Sequence, residues 1–157
     1  MLSVFQSIEW SSVGQLIKNS PWAFAVIESI HLLALAVIGG AVLLVDLRLM
    51  GLGLKRQTVT EVARDAQPVL VWSLGVMLLT GIALFVSEAI KCYYSTPFWV
   101  KMASLLLAIL FTFTIKRKIT LADNATRNPA LMRVVAVVSL ALWFGVGAGG
   151  RWIGFSG

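Results

Sequence analysis

Histidine and cysteine are almost missing from this chain. Its 157 residues hold one of each, His31 and Cys92. A single cysteine excludes an internal disulfide framework and a cysteine metal cluster. Acidic residues are also few, seven against thirteen lysines and arginines. No Ser/His/Asp arrangement, phosphate-binding glycine loop or HExxH helix occurs, so hydrolase and nucleotide chemistry find no support. The opening "MLSVFQSIEW" carries no basic leader and no small-residue cleavage site, so no secretory signal is read there. Proline occurs only four times, as Pro21, Pro68, Pro97 and Pro129, each ahead of an apolar run.

What is abundant is grease. The chain is 59% hydrophobic, with a mean hydropathy of +0.89. Apolar runs long enough to cross the roughly 30 Å hydrocarbon core read as membrane helices. Proline suits a first helical turn, where its missing N–H costs nothing. Ser20, Thr96 and Asn128 stand before three of the prolines as N-cap candidates. The expected spans are about 21–47, 68–91, 97–116 and 129–155, forming an all-α integral membrane four-helix bundle in one domain, 1–157. Residues 1–19 place Leu2, Phe5, Val13, Leu16 and Ile17 near one face and read as an interfacial helix. "TVTEVARDAQ", with a capping signature at Thr58 and Glu61, reads as a solvated helical linker.

The formal charge of +6 has a membrane explanation ahead of a nucleic-acid one. Nine basic residues fall on one side: Arg48, Lys55, Arg56 and Arg64 between the first two spans, and Lys116, Arg117, Lys118, Arg127 and Arg133 between the last two. The other side has Lys18, Lys91, Lys101 and Arg151. The positive-inside rule then puts both longer connections in the cytoplasm and both termini outside. Trp10, Trp22, Tyr93, Tyr94, Trp99 and Trp152 form an outer aromatic belt. "KRK" at 116–118 reads as a topology anchor, Asp46 and Arg48 as solvated or paired at the helix end, and Cys92 as an inert interfacial thiol.

Ionisable groups inside a span are expensive and usually face the bundle interior. Steps of three and four residues align Glu28, His31, Leu35, Gly39, Val42 and Asp46 on the first span. The second aligns Met77, Gly81, Leu84 and Glu88, and the third Lys101, Ser104, Ala108 and Thr112. The expectation is a polar cluster of Glu28, His31, Thr80, Glu88, Lys101, Ser104 and Arg151, with Glu28 paired to Lys101 or Arg151. Gly145 with Gly149, and Gly150 with Gly154, make two GxxxG steps that suit close helix packing in the monomer or between copies.

The stretches "SIHLLALAVIGGAVLLVDLRLMG", "TGIALFVSEAI" and "YYSTPFWVKMASLLLAIL" resemble a bacterial inner-membrane four-helix family of unknown function. More distantly the layout is similar to the CopD copper-resistance proteins and to HemJ-type membrane protoporphyrinogen oxidases. The matching positions are His31, Gly40, Arg48, Trp99 and Lys101. The resemblance implies the bacterial inner membrane, where the termini that the positive-inside rule puts outside are periplasmic, and a b-type haem on His31. In that reading Met77 is a candidate for the sixth ligand, and Trp143 and Phe144 wall the porphyrin. Two alternatives stand beside it. One is a proton, copper or small-solute transport component using Glu28 and His31. The other is an accessory subunit, as a homo-oligomer or within a larger complex. The lipid bilayer is the expected partner throughout, and whether the chain is an enzyme is left open.

Overall fold

A computed structural model describes residues 2–53, 56–121 and 128–155. Lys55 and Arg127 of the basic tally lie outside those residues. So does any structural statement on the Gly150/Gly154 step, since side-chain surroundings are described only as far as residue 153.

The described chain is helical. Two short helices, α1 (Leu2–Glu9) and α2 (Ser12–Lys18), lead into α3 (Pro21–Leu49). Then follow α4 (Val59–Ser87), α5 (Ala89–Tyr94) and α6 (Thr96–Phe111), which runs through a π-helical turn at Thr112–Lys116 into α7 (Arg117–Thr120). The last helix is α8 (Pro129–Phe155). Four of these stretches are long and apolar enough to span a bilayer: Pro21–Leu49, Val59–Ser87, Thr96–Thr120 and Pro129–Ile153. The protein is a four-helix membrane bundle.

Local chemistry sets the boundaries. Ser20 caps α3 through Ala23 N–H, and Pro21 occupies its first turn. The helix ends in a Schellman turn: Leu52 N–H reaches Leu47 O, Gly51 N–H reaches Arg48 O, and Gly51 takes φ +76°. Thr58 and Glu61 complete a reciprocal capping box. That box opens the second span itself, so the stretch read as a separate linker is the first part of α4. Pro68 lies inside the helix, not at its front. Ahead of α6 the cap position falls on Ser95, which makes no side-chain cap bond, and Thr96 is already helical. Asn128 does cap α8, accepting from Ala130 N–H at 2.9 Å. The single N-terminal helix expected over 1–19 is broken at Trp10–Ser11 into two pieces.

That broken pair clamps the end of the bundle. Glu9 is buried, pairs with Lys18 and accepts from Ile90 N–H at 2.7 Å. Burial by itself would raise the Glu9 carboxyl, but the bonds from Lys18 and Ile90 outweigh it and hold the group below the ordinary glutamate range. Phe5 meets Phe85 and Tyr93 edge-on. Gly14 passes so close to the chain that a Cβ there would lie 2.6 Å from Glu9 O and 2.8 Å from Val86 O.

Helices α3 and α4 pack along their length, α8 packs on α3 and on α6, and α4 scarcely touches α6. The bundle is therefore closed on three sides. On the fourth, Phe85 and Phe98 stack across the seam at one end, with ring centroids 5.7 Å apart, and α7 meets α4 at the other. Ile38, Val42, Met77, Ala108 and Val146 fill the core between.

Candidate functional site

Two polar pairs cross this bundle, and both run from α3 to α6 or its continuation. His31 and Asp46 are fifteen residues apart on α3; Lys101 and Lys116 are fifteen apart on the other side. His31 Nε2 lies 3.4 Å from Lys101 Nζ, and Asp46 Oδ1 lies 2.7 Å from Lys116 Nζ.

The first pair sits toward the end of the bundle that carries Trp22, Trp99 and Trp152. His31 is buried against α4, where its Nδ1 is 3.0 Å from both Met77 O and Thr80 Oγ1. A carbonyl only accepts, so Nδ1 carries the proton. Thr80 sends its own hydrogen to Val76 O at 2.7 Å, leaving its oxygen free to share that proton. Nε2 is then the acceptor, and it is turned to Lys101. Two glycines make room for this arrangement. A Cβ on Gly81 would stand 3.2 Å from His31 Cε1. A Cβ on Gly149 would stand 3.0 Å from Lys101 Cβ and 3.3 Å from its Cα. Gly145 packs likewise against Ser104 Oγ. The first GxxxG step thus serves packing of α8 on α6 inside the monomer, and it holds the lysine stem inward.

Beside this pair the open seam forms a cleft of about 220 Å³, lined by His31, Met77, Leu78, Gly81, Ile82, Phe85, Phe98, Lys101, Met102 and Leu105. Leu78, Ile82 and Met102 are exposed on the outside of the bundle. In a spanning segment that surface meets acyl chains, so the cleft opens sideways into lipid.

The structure gathers only part of the expected cluster. His31, Thr80 and Lys101 converge, with Ser104 close by under Gly145. Glu28 does not join them: it is exposed on α3 and has no ion pair among the described residues. The physical reason is the helix face. The buried stripe of α3 runs through His31, Ala34, Ile38, Ala41 and Val45 and continues back to the half-buried Ile27, so Glu28 falls to its side. Glu88 stands half-buried at the α4–α5 break, and Arg151 is exposed near the end of α8. Burial, followed by the Glu88 carboxylate, pushes the Cys92 thiol up to about 11, so it stays protonated and unreactive at neutral pH.

The arrangement does not fit a haem. The nitrogen left to ligate, His31 Nε2, already faces an ammonium. Met77 lines the cleft and reaches the imidazole through its backbone carbonyl. That cleft is smaller than the roughly 300–1,000 Å³ typical of cofactor and drug-sized sites. Trp143 is buried and donates to Thr112 Oγ1 at 3.1 Å. With Phe144 it lines a separate groove of about 690 Å³ between α3 and α8, which contains no histidine.

The second pair escaped sequence reasoning. Asp46 is 0% exposed and Lys116 4%, and Lys116 also donates to the buried Ser139 hydroxyl at 3.0 Å. Lys116 is therefore no surface anchor. A signal existed: Asp46 closes the stripe that begins at Glu28, and Lys116 is the next four-residue step after Thr112.

Residues 4–156 match the model of a family of unknown function, DUF6644. The chain belongs to this family. No curated protein matches it, and no solved structure does. DUF6644 membership covers the whole bundle, both polar pairs included.

Proposed function

We propose that this DUF6644 protein is a membrane-embedded binding protein that admits a lipid-dissolved molecule sideways, between α4 and α6, to the His31–Lys101 pair. One observation carries the reading. The seam where two helices fail to pack opens at the level where an imidazole and an ammonium meet. A ligand site of this kind needs an apolar enclosure with a few convergent polar groups, and the cleft has both. The apolar layer of Ile38, Val42, Ala108 and Val146 between the two polar pairs favours entry from the bilayer over a proton or ion path along the bundle axis. We place the protein in the bacterial inner membrane with its basic end in the cytoplasm, on the strength of the lysine and arginine asymmetry.

The test is to purify the protein in mild detergent and analyse its solvent extract by mass spectrometry beside Met102→Trp, which fills the cleft mouth. A small molecule present in near-equal amount to the wild type and missing from the variant supports the reading. Identical extracts from both proteins overturn it. The same preparation decides the haem alternative: a Soret band that disappears in His31→Ala would reinstate it.

A second reading, assembly with another copy or a larger complex, draws on Glu28. An exposed carboxylate on a membrane helix gains from a partner that covers it. Sedimentation of the detergent complex should then show more than one chain, and Glu28→Leu should dissociate it.

A further inference from the structure

The three lysines with described ion-pair or hydrogen-bond partners differ in one respect. Lys18 has Glu9 and Lys116 has Asp46, each a carboxylate in direct contact. Lys101 has only a neutral acceptor, the lone pair of His31 Nε2. Among the described residues no carboxylate comes within ion-pair distance of it. An ammonium in a membrane span normally snorkels to water or finds an anion. Here Gly149 and Gly150 receive the stem, a Cβ on Gly150 falling 3.5 Å from Nζ, and keep the lysine against the bundle. Nζ carries three hydrogens, and His31 takes one. The others are left for an acceptor in the cleft.

We propose that the cleft binds a single-chain amphiphile with a carboxylate head, a long-chain fatty acid, whose head pairs with Lys101 while its tail lies between α4 and α6. This deepens, and rests on, the lateral-entry reading above. The ligand's charge follows from the missing counter-ion, and its tail from the exposed apolar edge of Leu78, Ile82 and Met102. Its slenderness follows from the cleft volume of about 220 Å³, too small for a macrocycle. Its depth also suits: Lys101 is five residues inside the start of α6, about 8 Å down, so the head stays near the interface and the tail points to the bilayer centre.

The experiment uses full-length protein in phosphatidylcholine nanodiscs and palmitate bearing a mid-chain diazirine. Saturable photolabelling is expected on Leu78, Ile82 or Met102. Unlabelled palmitate should displace it at least tenfold better than hexadecanol, a short-chain ubiquinone analogue or phosphatidylglycerol. Lys101→Met should cut labelling at least tenfold and Lys101→Arg should retain it. The competition series on the wild type stands even where a variant does not fold. Displacement by hexadecanol, the quinone or phosphatidylglycerol as well as by palmitate would overturn the carboxylate assignment and leave lateral entry standing. Absence of saturable labelling, or labels mapped away from the cleft, would overturn both.

Discussion

Replacing Lys116 by methionine isolates the buried pair at the basic end. Methionine keeps most of the lysine's volume, so the substitution removes charge and hydrogen bonds rather than packing. Asp46 has no exposed surface, and its carboxylate forms the 2.7 Å ion pair with Lys116, whose ammonium also donates to the buried Ser139 hydroxyl beside it. Removing one partner of a buried ion pair costs about 3–5 kcal/mol, because the other charge stays behind uncompensated. At about 2–4 °C per kcal/mol for a chain of this length, Lys116→Met should lower the melting temperature by roughly 6–20 °C. The assay is thermal unfolding of detergent-solubilised protein followed by intrinsic tryptophan fluorescence. The double variant Asp46→Leu/Lys116→Met should recover most of the loss, since replacing both charges by apolar groups is often neutral or better. A single variant within about 0.5 kcal/mol of wild type, the range of surface substitutions, would refute the burial of the pair. So would a double variant as damaged as the single one.

Gly149→Ala presses a methyl group onto the Lys101 backbone and should cost about 1–3 kcal/mol by overpacking, whereas Gly147→Ala, with nothing within 4 Å, should be near neutral; thermal unfolding of both checks this. Glu9 is held below its ordinary range, so its contribution is complete above about pH 4.3 and is lost as pH falls through the lowered value. Melting temperatures of wild type and Glu9→Gln should therefore differ at pH 7 and converge in acid.

The sequence displays the four spans because hydropathy and proline placement act locally, and each span needs only its own residues to be recognised. Boundaries were less legible. Pro68 looks like a helix start, yet the capping box at Thr58 and Glu61 had already begun the helix ten residues earlier. The partnership of His31 with Lys101 was visible only as two inward stripes, and Glu28 competed for the same lysine. What decided between them was the face of α3 that turns inward, with Ile27 rather than Glu28 continuing the buried stripe, and the close packing of Gly149 on the Lys101 stem, and both are properties of the assembled bundle. The open α4/α6 seam could not be read at all, because it depends on which neighbours the four helices choose.

Having one histidine makes the contact of His31 with Lys101 directly measurable. Nitrogen-15 NMR of the imidazole-labelled protein reads His31 alone, with no assignment needed. At neutral pH the ring should be neutral and protonated at Nδ1, with an Nε2 acceptor resonance that moves when Lys101 is changed to methionine. A ring protonated at Nε2, or an Nε2 resonance indifferent to Lys101→Met, would contradict that contact.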